Sequence, residues 1–207
     1  MGRSRRQDAG LLVLRAGTGG VLFAHGAQIV FGWFGGPGLA ASSVGMERMG
    51  FRPGRPSALV AGGGQVVSGT LLAAGLATPV AGAVAAGAMA GAAAVHAPAG
   101  FFALAGGYEF PAFLGWAAAA LGVAGPGRYS ADHLTGHRLN RPRLAALAFL
   151  GTTVATCAVL RRRAADLHRR DLRQNQNQGQ DRDRDQDRDE ERHPHEHPPH
   201  QDEGQTS

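Results

Sequence analysis

Five side chains in the first 110 residues are placed to do chemistry: His25, Gln28, Gln65, His96 and Glu109. His25 and Gln28 lie three apart within FAHGAQIVFGWFGGPGL (23–39), so on a helix they share a face. On an apolar helix such a pair can hydrogen-bond a quinone-like head group or relay protons. It can equally satisfy an interhelical hydrogen bond, with Gln65 as partner. His96 and Glu109 bracket a second Gly- and aromatic-rich stretch, HAPAGFFALAGGYE (96–109). If the two stretches converge, His25, His96 and Glu109 form one titratable cluster beneath a lid of Trp33, Phe34, Phe101, Phe102 and Tyr108. Two histidines and a carboxylate are a minimal metal set only if all three come within about 2.0–2.2 Å of a zinc ion, and no metal is assigned. Glu109 also fits a helix N-terminus, where an acid contributes about 0.3–1 kcal/mol. The aromatic residues equally fit an interfacial belt.

The elements that must position these residues are apolar runs. The run over 11–31 is long enough to cross about 30 Å of hydrocarbon and follows Arg3, Arg5 and Arg6. Arg15, one turn in, is expected to snorkel back to the headgroups. A loop over 32–56 carries GGPG and Arg48, Arg52 and Arg55, and its middle, 39–49, predicts a short helix on the membrane surface. The run over 57–76 places Ser57, Ala61, Gln65, Gly69 and Ala73 four apart, a small-residue face with one amide. After the Ala77-Thr78-Pro79 turn, the run over 80–95 places Ala83, Gly87 and Gly91 four apart, which predicts helix packing. The loop over 96–109 reads as interfacial or re-entrant. A fourth, short run covers 110–124, and a fifth, over 144–160, sits at the lower length limit for a span.

Charge divides the chain. Residues 161–207 hold ten of the 21 arginines and twelve of the 16 acids, there is no lysine, and the whole chain carries +5. Asp8, Glu47, Glu109 and Asp132 are the acids of the remainder. Its arginines flank apolar runs as membrane-bordering charges do, which argues against nucleic acid as a partner. Cys157, the single cysteine, reads as a small buried hydrophobe and excludes an intramolecular disulfide. Beyond Arg161-Arg162-Arg163 the sequence is QNQNQGQ, DRDRDQDRDEER and HPHEHPPH, too polar to bury a core, so a disordered tail is expected. His193, His195, His197 and His200 could hold Zn²⁺, Ni²⁺ or Cu²⁺ loosely.

HGxQ at 25–28 with FGWFGGPGL at 31–39, HAPAGFFALAGGYEFP at 96–111 and GPGRYSAD at 125–132 stand in the order seen in the DoxX family of small bacterial membrane proteins. Over residues 11–132 the chain resembles that family. It departs at two positions: Ile29 where the family often has Lys, and Gln65 where it often has Glu, together a lost ion pair. The resemblance implies a four-helix membrane bundle. It also implies a link to quinone or oxidative-stress oxidoreductases, since the family takes its name from a subunit of a thiosulfate:quinone oxidoreductase.

The expected organisation is a basic N-terminal segment (1–10), a DoxX-like bundle (11–132), a basic loop with a fifth transmembrane helix (133–160) and the tail (161–207). The overall class is an all-α membrane protein, multi-pass in the bacterial plasma membrane, with the N-terminus inside and Arg128 and Tyr129 as inner headgroup anchors. The chain has no thiol pair, CxxCH or flavin-binding glycine fingerprint, so redox chemistry would need a bound cofactor such as quinone or an oxidoreductase partner. Three roles fit: the membrane subunit of a redox system, a non-catalytic anchor for a soluble oxidoreductase, or a small-solute transporter. Expected partners are the bilayer, an oxidoreductase subunit and further copies of the chain.

Overall fold

The computed structural model describes residues 4–192; the tail histidines at 193, 195, 197 and 200, and any metal they hold, lie outside the described residues. Among the described residues every regular element is helical: α1 (Arg5–Phe31), α2 (Gly38–Arg48), α3 (Gly54–Ala74), α4 (Thr78–His96), α5 (Glu109–Ala124), α6 (Ala131–Leu134) and α7 (Pro142–Arg192), with three single 3₁₀ turns in the connections. The chain divides into two units, Met1–Asp166, which holds the bundle, and Leu167–Ser207.

α1 begins six residues before the apolar run because Ser4 and Gln7 close a capping box. The Ser4 hydroxyl accepts from the Gln7 amide at 3.3 Å, and the Gln7 side chain accepts from the Ser4 amide at 2.9 Å. The helix stops at Gly32, whose left-handed backbone (φ 72°) suits glycine. α2 then departs at 93° to α1, the angle a helix lying along a membrane surface would need.

α1 and α3 pack backbone to backbone. A side chain at Gly26 would place its Cβ 2.5 Å from the Gly62 carbonyl oxygen and 2.7 Å from the Val66 nitrogen, and one at Gly69 would strike Gly19 and Phe23 backbone atoms at 2.6 and 2.7 Å. Small residues at this spacing let helices approach closely where lipid offers no hydrophobic drive to associate. Gln65 and Gly69 of the expected α3 face are buried, and the face continues through Ala58 and Gly62 rather than Ala61. On α4 the close contact to α5 is made by Gly82, which lies against Ala118 and Gly122, one residue off the expected Ala83-Gly87-Gly91 line. Gly87 faces α7 at Thr152 and Thr156, whereas Gly91 borders open space.

Helix α1 contacts α3, α3 contacts α4, α4 contacts α5, and α5 returns to α1, closing a four-helix bundle. Leu22, Leu72, Ala81, Ala85, Met89, Leu114, Ala118 and Leu121 fill its centre. Val13, Val60, Phe113, Trp116 and Val123 are more than half exposed on its flanks. α3, Thr78–Ala99 and Pro142–Gln180 are each long and apolar enough to cross a membrane, and the bent pair Arg5–Phe31 with Trp33–Arg48 meets the same criterion when its two parts are taken together. α5, apolar but only 16 residues long, is shorter. The chain is thus an all-α, multi-pass membrane protein, with apolar side chains turned to lipid.

The apolar part of α7 runs the height of this bundle. Near its start, Gly125 lies against Asn140 and Gly122 against Phe149. Near Arg163 it reaches the opposite end, where the guanidinium donates to the Met49 carbonyl at 2.8 Å and sits 5.5 Å from the Phe51 ring centre. Cys157, expected to be buried, is exposed on this helix. α7 also continues to Arg192, through much of the stretch expected to be disordered. Arg, Gln and Glu are good helix formers, and a helix already nucleated by an apolar segment propagates at little cost.

Candidate functional site

At the end of the bundle where α1 meets α2, FGWFGGPG folds the chain back on itself. Gly36 lies against the Cα and Cβ of Gln28, a contact that leaves no room for a side chain at 36. Trp33 packs on Phe31 at 5.1 Å, Phe23 at 6.3 Å and Phe34 at 6.4 Å between ring centres. The second loop forms its own cluster, with Phe101 edge-on to Phe102 at 5.3 Å and to Tyr108 at 5.5 Å. The five aromatic residues expected to form one lid therefore divide into two groups, one on each loop.

His96 and Glu109 both shape the second loop. The His96 ring nitrogen Nδ1 is 2.8 Å from the Gly106 carbonyl, and Glu109 accepts the Ala103 amide at 3.0 Å. The backbone amide of Glu109 itself donates to Phe101 at 2.8 Å. His25 is exposed on the flank of α1, and its ring lies 5.1 Å from that of Phe110, the residue after Glu109. The loop thus brings Glu109, His96 and, through Phe110, His25 to one end of the bundle. Gln65 is buried on α3, at 7 % exposure. Ile29 packs against Gly62, three residues from Gln65, so the two neutral replacements lie in the same stretch of the α1–α3 contact. Among the described residues no three His, Cys, Asp or Glu side chains are arranged to hold a metal ion.

The opposite end carries a charged network that the sequence did not reveal. Arg15 is fully buried rather than snorkelling. Its guanidinium donates to the carbonyls of Pro126 and Tyr129 and lies within electrostatic reach of Asp132. Asp132 is also fully buried and accepts from the Ala77 amide at 2.9 Å, the Thr78 amide at 3.1 Å and the Thr78 hydroxyl at 3.3 Å, so it caps α4 from 54 residues away. Asp8, 1 % exposed, accepts the Arg128 amide at 3.1 Å. Gly75, left-handed at φ 67°, presses on the guanidinium so closely that any side chain there would collide with it. Arg128 and Tyr129 themselves are exposed, as headgroup anchors would be. The available signals were an arginine one turn inside an apolar run and an aspartate in GPGRYSAD; what pairs them is a fold contact spanning more than 110 residues.

Comparison with known families fits this architecture. The DoxX family model matches residues 10–98. This segment is a DoxX domain. It covers α1 to α4, including HGxQ and the first loop, and ends inside the second motif. No curated protein and no solved structure matches the chain significantly. The DoxX segment supplies Arg15 and Thr78, and residues beyond the match supply Asp132 and Glu109.

Proposed function

We propose that the chain is the membrane subunit of a redox system, quinone-linked or serving oxidative-stress defence, in the bacterial plasma membrane. The observation that carries this reading is His25. It lies six residues before the end of α1, about 9 Å along the axis at 1.5 Å per residue, and its imidazole is exposed on an apolar flank against Phe110. A polar ring facing hydrocarbon without a hydrogen-bond partner is costly, and a quinone carbonyl beside an aromatic ring would relieve that cost. Gln28, on the same helix face, and Glu109, beside Phe110, border the same position. Quinone binding by the detergent-purified protein is expected to weaken about tenfold in His25→Ala, the loss of one hydrogen bond to a buried acceptor. Smaller losses are expected in Gln28→Ala and Glu109→Ala. Unchanged binding in all three, or none in the wild type, would reject the quinone reading.

A second reading, a non-catalytic anchor that recruits a soluble oxidoreductase, is favoured by α7, which continues as a polar helix beyond its apolar part. Neither reading requires the chain to be an enzyme by itself, and association with further copies of the chain fits both. We place the N-terminus inside. With the apolar part of α7 crossing the bundle, the two ends carry similar sets of arginines: Arg5, Arg6, Arg128, Arg138, Arg141 and Arg143 at one, Arg48, Arg52, Arg55 and Arg161–Arg163 at the other. The positive-inside bias therefore decides little here. In a Cys157→Ser background, a cysteine replacing Gln176 should react with an impermeant maleimide added to intact cells, and one replacing Thr135 should not. The reverse pattern would invert the orientation.

A further inference from the structure

We propose that His133 and His137 form a binding site for a late first-row divalent cation such as Zn²⁺, Ni²⁺ or Cu²⁺. The Nδ1 atom of His133 and the Nε2 atom of His137 face each other at 3.1 Å, with ring centres 5.2 Å apart, and both residues are exposed. Two nitrogens each 2.0–2.1 Å from one zinc ion and 3.1 Å from each other subtend about 100° at the metal, inside the range of tetrahedral and octahedral sites. Imidazole suits these ions, and the Irving–Williams order places Cu²⁺ first among them.

The backbone is bent to make this pair. α6 ends at Leu134, Gly136 is left-handed at φ 69°, and His137 follows in the same region at φ 57°. A side chain with a Cβ is strained in that region, and such outliers gather at ligand clamps. Of the three described non-glycine residues with positive φ, Ala77 is accounted for by its bond to Asp132 and Phe34 by the reversal of FGWFGG. At His137 the bend is fastened by its amide, which donates to the Asp132 carbonyl at 2.7 Å, and by its own carbonyl, which accepts from Asn140 at 3.0 Å. His133 is held by its amide donating to the Ser130 hydroxyl at 3.2 Å. Both rings are thus fixed at the backbone while their nitrogens converge. The Asp132 carboxylate, buried and occupied at the start of α4, is not a third ligand, so water completes the coordination. A bound ion would clasp the connection between α5 and α7 directly beside the residue that caps α4.

The test uses the full chain, purified in detergent through a tag without histidine, with His193, His195, His197 and His200 changed to Gln so that the tail does not compete. Calorimetric titration with Zn²⁺ should show one site, and His133→Gln or His137→Gln should each weaken it about tenfold or more, since each removes half of the protein ligands. The Cu²⁺ electron paramagnetic resonance spectrum should change from two-nitrogen to one-nitrogen coordination in either variant, a signature that altered stability alone would not produce. Absence of Zn²⁺ binding in the tail-substituted chain, or parental affinity and an unchanged copper spectrum in either histidine variant, would overturn the assignment.

Discussion

Replacing Asp132 with alanine should destabilise the bundle by about 3–5 kcal/mol, the loss expected when a buried carboxylate that accepts three hydrogen bonds is removed beside a buried cation. Three losses coincide. The Ala77 and Thr78 amides at the start of α4 lose their acceptor, as does the Thr78 hydroxyl. Arg15, fully buried, loses the favourable charge of Asp132. Asp132→Asn should cost less, because the amide oxygen still accepts one of the bonds, while Arg15 remains uncompensated. Glu109→Ala is the informative control. It too removes an acceptor from a backbone amide, at Ala103, but at an exposed site, so only about 0.5–1.5 kcal/mol is expected. Unfolding midpoints in one detergent would rank the variants. Equal, small shifts for Asp132→Ala and Glu109→Ala would show that burial at the charged end contributes nothing beyond a hydrogen bond.

The second large effect changes sign with position along one motif type. Gly26→Ala should destabilise by about 1–3 kcal/mol, the range for forcing extra volume into a packed contact. The added methyl meets the α3 backbone at Gly62 and Val66, which no rotamer change can move aside. Gly63→Ala should stabilise by up to about 1 kcal/mol, because alanine is the better helix former and nothing lies within 4 Å of that position. Both changes add the same atom to a glycine in an apolar helix. Loss of stability in both, or gain in both, would mean that the α1–α3 contact does not control the association of the bundle.

Helix placement was legible because apolar runs are long and their interruptions are glycine, proline or charge. Orientation around each helix axis was legible only where a polar residue marked a face. Gln65 did so for α3, and the buried face contains it. In α4, TPVAGAVAAGAMAGAAAV is small and apolar on every side, so nothing in its periodicity distinguishes Gly82 from Ala83, and the packing line was set one residue away. Arg15 has two stable solutions near the end of an apolar helix, extension to the headgroups or burial against acceptors. Choosing between them requires knowing that the non-helical 125–130 segment delivers two free carbonyls to its side. At the other end, the aromatic and histidine residues were identifiable by type. Their division into two clusters, with His96 and Glu109 tied to their own loop, follows from backbone turns at Gly100 and Gly106 whose direction composition does not encode.

All four acids of the first 160 residues accept a backbone amide from another stretch of chain: Asp8 from Arg128, Glu47 from Gly54, Glu109 from Ala103 and Asp132 from Ala77 and Thr78. Each of these carboxylates is a fastener at the beginning of a helix, turn or loop. An ion carrier works by letting its acids exchange partners as cargo passes, and here every such exchange would release the start of an element. Traffic of charged solutes through this bundle would therefore be coupled to partial unfastening of the fold. A neutral ligand dissolved in the bilayer and arriving at the His25 flank would meet the protein without disturbing Asp8, Glu47 or Asp132.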